Sequence, residues 1–353
     1  MPGSARTVIA RPPGADADGE RRSAGGAWRW LRRLWAVAGL LVLVCAGAGV
    51  LAHFFGPVST TVTLLASFSP LCVVLVLVSF VVLSAAHCRV PAAAALVVAV
   101  VGAIAQSPLY LDNRVTVMAD APKFRLLQAN IRLGEADPRA LLDLARAEHI
   151  DVMTVAELTE PAADRLAAAG VYEVLPFSYL QPRRGGGGAG IYSRHPLDES
   201  VKLPGLQHNN LRATMHIPGS GPVAVFALHP VPPYPEPAWK WALELDRLGA
   251  ALDREPLPLV VGADFNSTYD HRRYRDLVAA GTKDGRPLID AAEYLGSGIV
   301  ATFPADTWYP AVLAIDRILA RGATPLSFRR VDLPGSDHHG VVADIGVALP
   351  GQR

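Results

Sequence analysis

Three long apolar runs dominate the first third of the chain. Leu34–Phe55 has 22 residues, Leu64–Ala86 has 23 and Val90–Leu111 has 22, and none of the three contains a formal charge. Between Leu34 and Leu111 the single formal charge is Arg89. At 1.5 Å per residue each run makes a helix about 33 Å long, enough to cross a hydrocarbon core of about 30 Å. A cleaved signal peptide has one apolar core of about 7–15 residues, so three successive runs predict three transmembrane helices over residues 34–111. Gly56–Pro57 is the expected hairpin between the first two, and His87–Cys88–Arg89–Val90–Pro91 separates the second from the third. Trp28, Trp30 and Trp35 alternate with Arg29, Arg32 and Arg33 at the entrance to the first run, the pattern of an interfacial anchor.

After a linker at residues 112–121 the pattern changes to short mixed elements. Phe124–Ile131, Asp151–Leu158, Gly190–Ser193, Leu211–Ile217, Val223–Leu228 and Leu257–Gly262 read as strands, with shorter ones at Ile315–Ala320 and Gly340–Val347. Pro138–His149, Pro161–Ala169 and Trp239–Leu252 read as helices, the first with Leu141, Leu142, Leu144 and Ala145 on one face. Strand follows strand through the middle. The fold class this predicts for residues 122–350 is α+β, a two-sheet α/β sandwich, rather than a doubly wound sheet.

Composition sharpens the division. The chain is 51% hydrophobic and 18% charged, below the roughly 25% charge of an average soluble domain. Net charge is +1, with +4 on residues 1–33 and +1 on residues 34–119, which leaves −4 on residues 120–353. An acidic globular part argues against sequence-independent nucleic-acid binding, so no nucleic-acid partner is expected. Residues 1–33 read as a disordered basic tail, rich in Gly, Ala, Pro and Arg. Their seven arginines put the N-terminus in the cytoplasm, and three crossings then carry the globular part outside. The three cysteines, Cys45, Cys72 and Cys88, all precede it, which excludes a disulfide framework or a cysteine-based zinc site there. No obligate protein partner is evident.

Polar residues recur at the ends of the apolar strands: Asn130 in QANI, Glu157 in TVAEL, His229 in VFALHP, Asp264 and Asn266 in LVVGADFN, Asp316 in AIDRIL, and Asp337 and His338 in GSDHHG. Strand ends are where a rigid sheet presents functional side chains. Glu157 and a carboxamide such as Asn130 are hard oxygen ligands suited to Mg²⁺ or Mn²⁺. Asp264 and Asn266, two apart on extended chain, face one side, so that one can orient a nucleophile while the other holds phosphate. An Asp–His pair supplies a general base, and a second histidine can donate to a phosphoryl oxygen.

With these segments the chain resembles the endonuclease/exonuclease/phosphatase superfamily of metal-dependent phosphoesterases. QANI, AEL, GIYSRHPL, ALHP, GADFN, ATFP, AIDRI and SDHHG occur in the family's order over roughly residues 122–347. The resemblance implies that Asn130, Glu157 and Asp337 form the metal shell, with Mg²⁺ the expected ion and Mn²⁺ the alternative. Asp264 would orient or activate the attacking water, Asn266 would bind phosphate, His229 would stabilise the pentacovalent phosphorus, and Asp316 would orient His338 as the base. Two departures stand out: Leu228–His229 where the family typically has Thr-His, and GADFN where it often has GDFN. The base stays open between His338 and Asp264, as does the choice of one metal or two.

Three features bear on substrate. The segment QPRRGGGGAG is a flexible loop whose Arg183 and Arg184 are candidate clamps for an anionic head group, and Arg212 is a third candidate. VPPYPEP follows His229 and, with Trp239, Trp241 and the TWYP segment at 307–310, offers an apolar wall. His208, His216 and His271 read as ordinary polar residues. The arrangement of three N-terminal spans and this domain is similar to the VanJ-type actinobacterial proteins associated with teicoplanin resistance. That similarity implies a multi-pass cell-membrane enzyme with an extracytoplasmic catalytic domain. Its substrate would be a membrane lipid phosphate such as undecaprenyl pyrophosphate. A membrane-tethered nuclease, a sphingomyelinase-like phosphodiesterase and a non-enzymatic binder of glycopeptide or cell-wall precursor are the alternatives.

Overall fold

The computed structural model describes residues 15–56, 59–113, 122–282 and 285–347. Residues 1–14 of the expected tail, most of the expected linker and residues 348–350 lie outside these. The chain divides into two units, residues 1–48 with 71–101 and residues 49–70 with 102–353.

Helix α1 runs Ala15–Ala52, so residues 15–33 are helical, where the composition had read as a disordered tail. Extending an existing helix needs no new nucleus, and the first apolar run supplies one. The second apolar run is two helices, α2 (Thr60–Ser67) and α3 (Ser69–Ala85), which meet at 74°. Pro70 explains the break at Phe68, because it has no N–H to donate to the Ala66 carbonyl and its ring crowds that carbonyl, so it is tolerated only in the first turn of α3. Ser59 caps α2 by accepting from the Val62 amide at 3.2 Å. Helix α4 (Arg89–Gln106) is followed by a 3₁₀ turn, Ser107–Tyr110. By length and composition Trp28–Ala52 and Arg89–Tyr110 can each cross a membrane, and the bent pair counts as a third only if it is one span. The count is therefore two or three. Within the first unit Val44, Val81 and Val97 turn outward, while Val76, Leu83 and Ala95 are buried. Ser79 there donates to the Gly39 carbonyl at 2.7 Å.

The second unit holds two sheets. One is built from β1 (Lys123–Asn130), β2 (Val152–Ala156), β3 (Phe177–Gln181), β4 (Ala189–Ser193), β11 (Ala323–Pro325), β12 (Arg329–Val331) and β13 (Gly340–Val347). Its order is β11-β13-β1-β2-β4-β3, with β12 also paired to β13. The other comprises β5 (Leu197–Lys202), β6 (Leu211–His216), β7 (Pro222–Leu228), β8 (Leu259–Asp264), β9 (Ile289–Asp290) and β10 (Asp316–Arg321), in the order β5-β6-β7-β8-β10-β9. Period-two alternation builds the sandwich. Leu126, Ile191, Ala213, Val225, Val260 and Ile318 face the partner sheet in one central core. Leu127, Met153 and Val155 face outward onto α5 (Pro138–Ala147), α6 (Glu160–Ala168) and α7 (Val171–Val174). Ala224, Phe226 and Val261 do the same beneath α8 (Ala238–Arg254) and α9 (Arg272–Ala280). The short α10 (Ala291–Tyr294) follows β9. The two-sheet expectation holds. Strand β5 escapes the apolar pattern because it is an exposed edge, with four polar residues among its six and an irregular register.

Gly262 sits where the two sheets come closest. A Cβ there would lie 2.0 Å from Thr154 Oγ1 and 3.1 Å from Leu126 Cδ2. Thr154 is itself held by donating to Gln128 at 2.6 Å. Gly262→Ala is therefore expected to destabilise the domain by about 1–3 kcal/mol, as overpacking does. A denaturation midpoint equal to the wild type's would disprove this close approach.

His271, just before α9, is buried against α2. Its Nδ1 accepts from the Thr268 amide at 2.9 Å, which leaves the proton on Nε2, 2.9 Å from the Thr63 carbonyl oxygen. Burial lowers its pKa to about 4, since a second proton on Nδ1 would face an N–H. The folded value lies below the unfolded value of about 6.5. The stability this contributes is complete above pH 6.5 and is lost as pH falls toward 4. It amounts to on the order of 3 kcal/mol. A urea midpoint that declines from pH 6.5 to 4 in wild type, and less steeply in His271→Asn, checks it.

Candidate active site

Topology brings the strand-end residues together. β1 and β2 are parallel, and Asn130 and Glu157 leave at their C-terminal ends. β7 and β8 are also parallel, which sets His229 beside Asp264. β10 and β13 run antiparallel to their neighbours, so Asp316 and His338 approach from their N-terminal ends. Asp316 pairs directly with Asp264 across the ladder. Glu157, His229, Asp264, Asn266, Asp337 and His338 thus line one cleft of about 570 Å³, with Asn130 and Asp316 fully buried beside them.

Asp264 is the hub. Its Oδ2 accepts from Asn130 Nδ2 at 2.9 Å and lies 3.6 Å from His229 Nε2 and 3.8 Å from His338 Nε2. Its Oδ1 accepts from the Asn266 amide at 2.8 Å. Asn266 donates from Nδ2 to the Pro230 carbonyl. Asn130 also reaches Glu157 Oε1 at 3.2 Å, and its own Oδ1 accepts from the Arg132 amide. Glu157 Oε2 accepts from the Leu133 amide at 2.7 Å. Glu157 and Asn266 both hold left-handed backbone, φ 61° and 50°, a conformation costly outside glycine and concentrated at functional sites.

His338 Nδ1 is 2.8 Å from Asp316 Oδ2. Burial disfavours the charged ring, but Asp316 and then Asp264 outweigh that and raise the pKa to about 10. Ser336 ties the segment down, donating to the Asn130 carbonyl and accepting from the His338 amide. Asp337 lines the cleft, and burial raises its carboxyl pKa. Its Oδ1 is buried without a hydrogen-bond partner among the described residues.

The residues fit a divalent cation. Glu157, Asp264, Asp337 and Glu236 line the cleft, and among the described residues no Lys or Arg does. Asp264, Asp316 and His338 also present ligand atoms within 4.8 Å of one another. An anionic phosphoester would meet net repulsion there until a cation compensates the carboxylates.

The remaining candidates divide. Arg183 donates to the Gln207 carbonyl at 2.6 Å, and its charge acts on His208 beside the cleft. Arg184 is exposed just before the glycine run. Arg212 is not brought to the cleft. Glu255 and Glu199 take its guanidinium at 3.0 and 3.3 Å, and it lines a separate hollow with Val201 and Phe226. His216 pairs with Asp198 on the surface, as an ordinary polar residue would. His208 differs from that reading: it lines the cleft with its ring centroid 4.8 Å from that of His229. Burial, then the neighbouring His229, lowers its pKa to about 4. No spacing or strand-end signal marks it. Leu64 and Ser67 of α2 also line the cleft, although they belong to the apolar third of the sequence.

Solved structures share this fold. D. rerio TDP2 complexed with a single-strand DNA product has 18% sequence identity and a TM-score of 0.52, the match covering 64% of this chain and 99% of that one. D. rerio TDP2 humanized by 14 mutations has 19% identity and a TM-score of 0.51, with the same coverage. An endonuclease/exonuclease/phosphatase from Bacteroides vulgatus has 14% identity and a TM-score of 0.51, covering 64% of this chain and all of that one. No curated protein matches the chain. The family model Endonuclease/Exonuclease/phosphatase matches residues 127–338, from the middle of β1 to His338. The chain therefore belongs to the endonuclease/exonuclease/phosphatase family, whose members are metal-dependent hydrolases acting on phosphoesters.

Proposed function

We propose that the protein is a membrane-anchored phosphoesterase that hydrolyses a lipid-linked phosphate or pyrophosphate, with undecaprenyl pyrophosphate the leading substrate. The observation that carries the reading is the wall of the cleft. Leu64 and Ser67, from the short helix between two apolar segments, line it together with Asp264 and His338. Phe303, Leu313, Ile315, Pro232 and Tyr234 continue that surface. A phosphate group at the carboxylate end and an apolar chain along this wall suit an amphiphile whose tail stays in the bilayer. A role in cell-wall metabolism or teicoplanin resistance follows from that substrate.

Three crossings and an extracytoplasmic catalytic domain complete the proposal. Besides the arginine-rich N-terminus, His53 and Gln106, at the ends of α1 and α4, hydrogen-bond to one carboxylate, Asp270, so both helices finish on one side.

In this reading Glu157, Asn130 and Asp337 would hold Mg²⁺, or Mn²⁺ in its place, and the ion would supply positive charge against the phosphoryl oxygens and leaving group. Asp264 takes the proton of the attacking water. His338, kept charged by Asp316 and Asp264, donates to a phosphoryl oxygen, and His229 and Asn266 hold the phosphate from the other side. The raised pKa of His338, held up by Asp316 and Asp264, supports Asp264 over His338 as the base in this reading.

Phosphate release by the full-length protein in nanodiscs with Mg²⁺ tests the substrate. Undecaprenyl pyrophosphate should be cleaved faster than sphingomyelin or a single-stranded oligonucleotide. The oligonucleotide is the pointed rival because a structural neighbour was solved with single-strand DNA product. A lipid rate equal to that of His338→Ala, beside efficient cleavage of the oligonucleotide, would overturn the proposal in favour of a tethered nuclease.

A further inference from the structure

The loop after β8 begins with Asp264 and Asn266 and ends at Asp270 and His271. Both of its ends are engaged. At the first, Trp241 Nε1 donates to the Phe265 carbonyl and to Ser267 Oγ at 3.3 and 3.2 Å. At the second, Asp270 is 2% exposed, and one of its oxygens meets His53 Nδ1 at 2.8 Å and Gln106 Nε2 at 2.5 Å. Arg275 bridges the same junction, donating to the His53 carbonyl and to the Tyr269 carbonyl, each at 2.6 Å. His53 directly follows α1 and Gln106 closes α4. A buried carboxylate needs such partners, because removing one leaves charge uncompensated in an apolar surround.

We propose that Asp270, His53 and Gln106 are positioning residues that use the ends of α1 and α4 to lock the loop carrying Asp264 and Asn266. The proposal rests on the reading of Asp264 and Asn266 as parts of the hydrolytic site, but not on the lipid as substrate. Asn266 lies four residues before Asp270, and its left-handed backbone must be held against relaxation. Helix ends fastened to Asp270 supply a fixed far point for that segment. The helices then serve the chemistry as well as the anchoring.

The test uses the full chain in nanodiscs, with Mn²⁺ and the water-soluble diester bis(p-nitrophenyl) phosphate. Gln106→Ala, His53→Ala and Asp270→Ala should each lower kcat at least tenfold with KM within threefold of wild type. Amide hydrogen exchange at residues 265–270 should quicken about tenfold while the core strands β1, β7 and β8 keep their protection. Asp270→Asn, which keeps the acceptor oxygen, should recover kcat to within threefold. Unchanged kcat and unchanged loop exchange in the three alanine variants would overturn the proposal. So would exchange quickened uniformly across the domain, which marks a merely structural contact. If Asp270→Ala fails to fold, the two helix-end variants decide by the same readouts. A wild-type protein inactive on the diester, yet showing the localised exchange, would sink the hydrolytic reading of the site and leave the clamp standing.

Discussion

Asp264→Asn is expected to lower kcat for phosphoester hydrolysis by about 10²–10⁴-fold, the span that a lost general base commands, with KM within a few-fold. The substitution keeps the shape of the side chain. Its carbonyl oxygen can still accept from the Asn266 amide, as Asp264 Oδ1 does at 2.8 Å. The other position becomes an NH₂ group facing Asn130 Nδ2, where the carboxylate now accepts at 2.9 Å. Donor then meets donor, and the proposed acceptor for the proton of water is gone. Asp264 is also, with Asp316 and Asp337, one of the three carboxylates that raise the pKa of His338, so its loss weakens the imidazolium as well. Steady-state kinetics on the full-length protein, with a thermal melt to establish folding, measures the effect. Activity within threefold of wild type would move the proton acceptor to another group.

Glu157→Gln should raise the Mg²⁺ concentration for half-maximal activity by about 10–100-fold, the penalty for disturbing a ligand set. The glutamine oxygen can still accept from the Leu133 amide, as Glu157 Oε2 does at 2.7 Å, so the left-handed turn at this residue should persist. What changes is charge: one of the carboxylates lining a cleft that has no lysine or arginine among the described residues becomes neutral. Saturating metal should then restore part of kcat. Titration of activity with Mg²⁺ and with Mn²⁺ reads both quantities. A reduced kcat at an unchanged half-saturating metal concentration would remove Glu157 from the metal shell.

The strand-end residues were legible because a sheet repeats every two residues. An apolar run that ends in Asn130, Glu157, His229 or Asp264 announces a side chain emerging from a rigid edge. Their order also carried the family, which the match over residues 127–338 establishes. Arg212 misled because a lone arginine on a strand says nothing about its partners, and Glu255, 43 residues on, takes it. His208 was overlooked for the converse reason, since only the close approach of two rings gives it a place in the cleft.

The apolar third divides in the same way. Length and composition determine that Trp28–Ala52 and Arg89–Tyr110 are apolar enough to cross a membrane, since hydropathy is a local property. They also determine the acidic balance of the globular part and the chemical types at its strand ends. Only the tertiary structure decided that the second run breaks at Phe68, and that Leu64 and Ser67 at its start line the cleft. It alone decided that His53 and Gln106 meet on Asp270, 217 and 164 residues away. The physical reason is common to these cases. Hydrophobic patterning is written residue by residue, whereas a buried polar group is satisfied by whichever partner the folded chain brings within about 3 Å, and linear order does not record that distance.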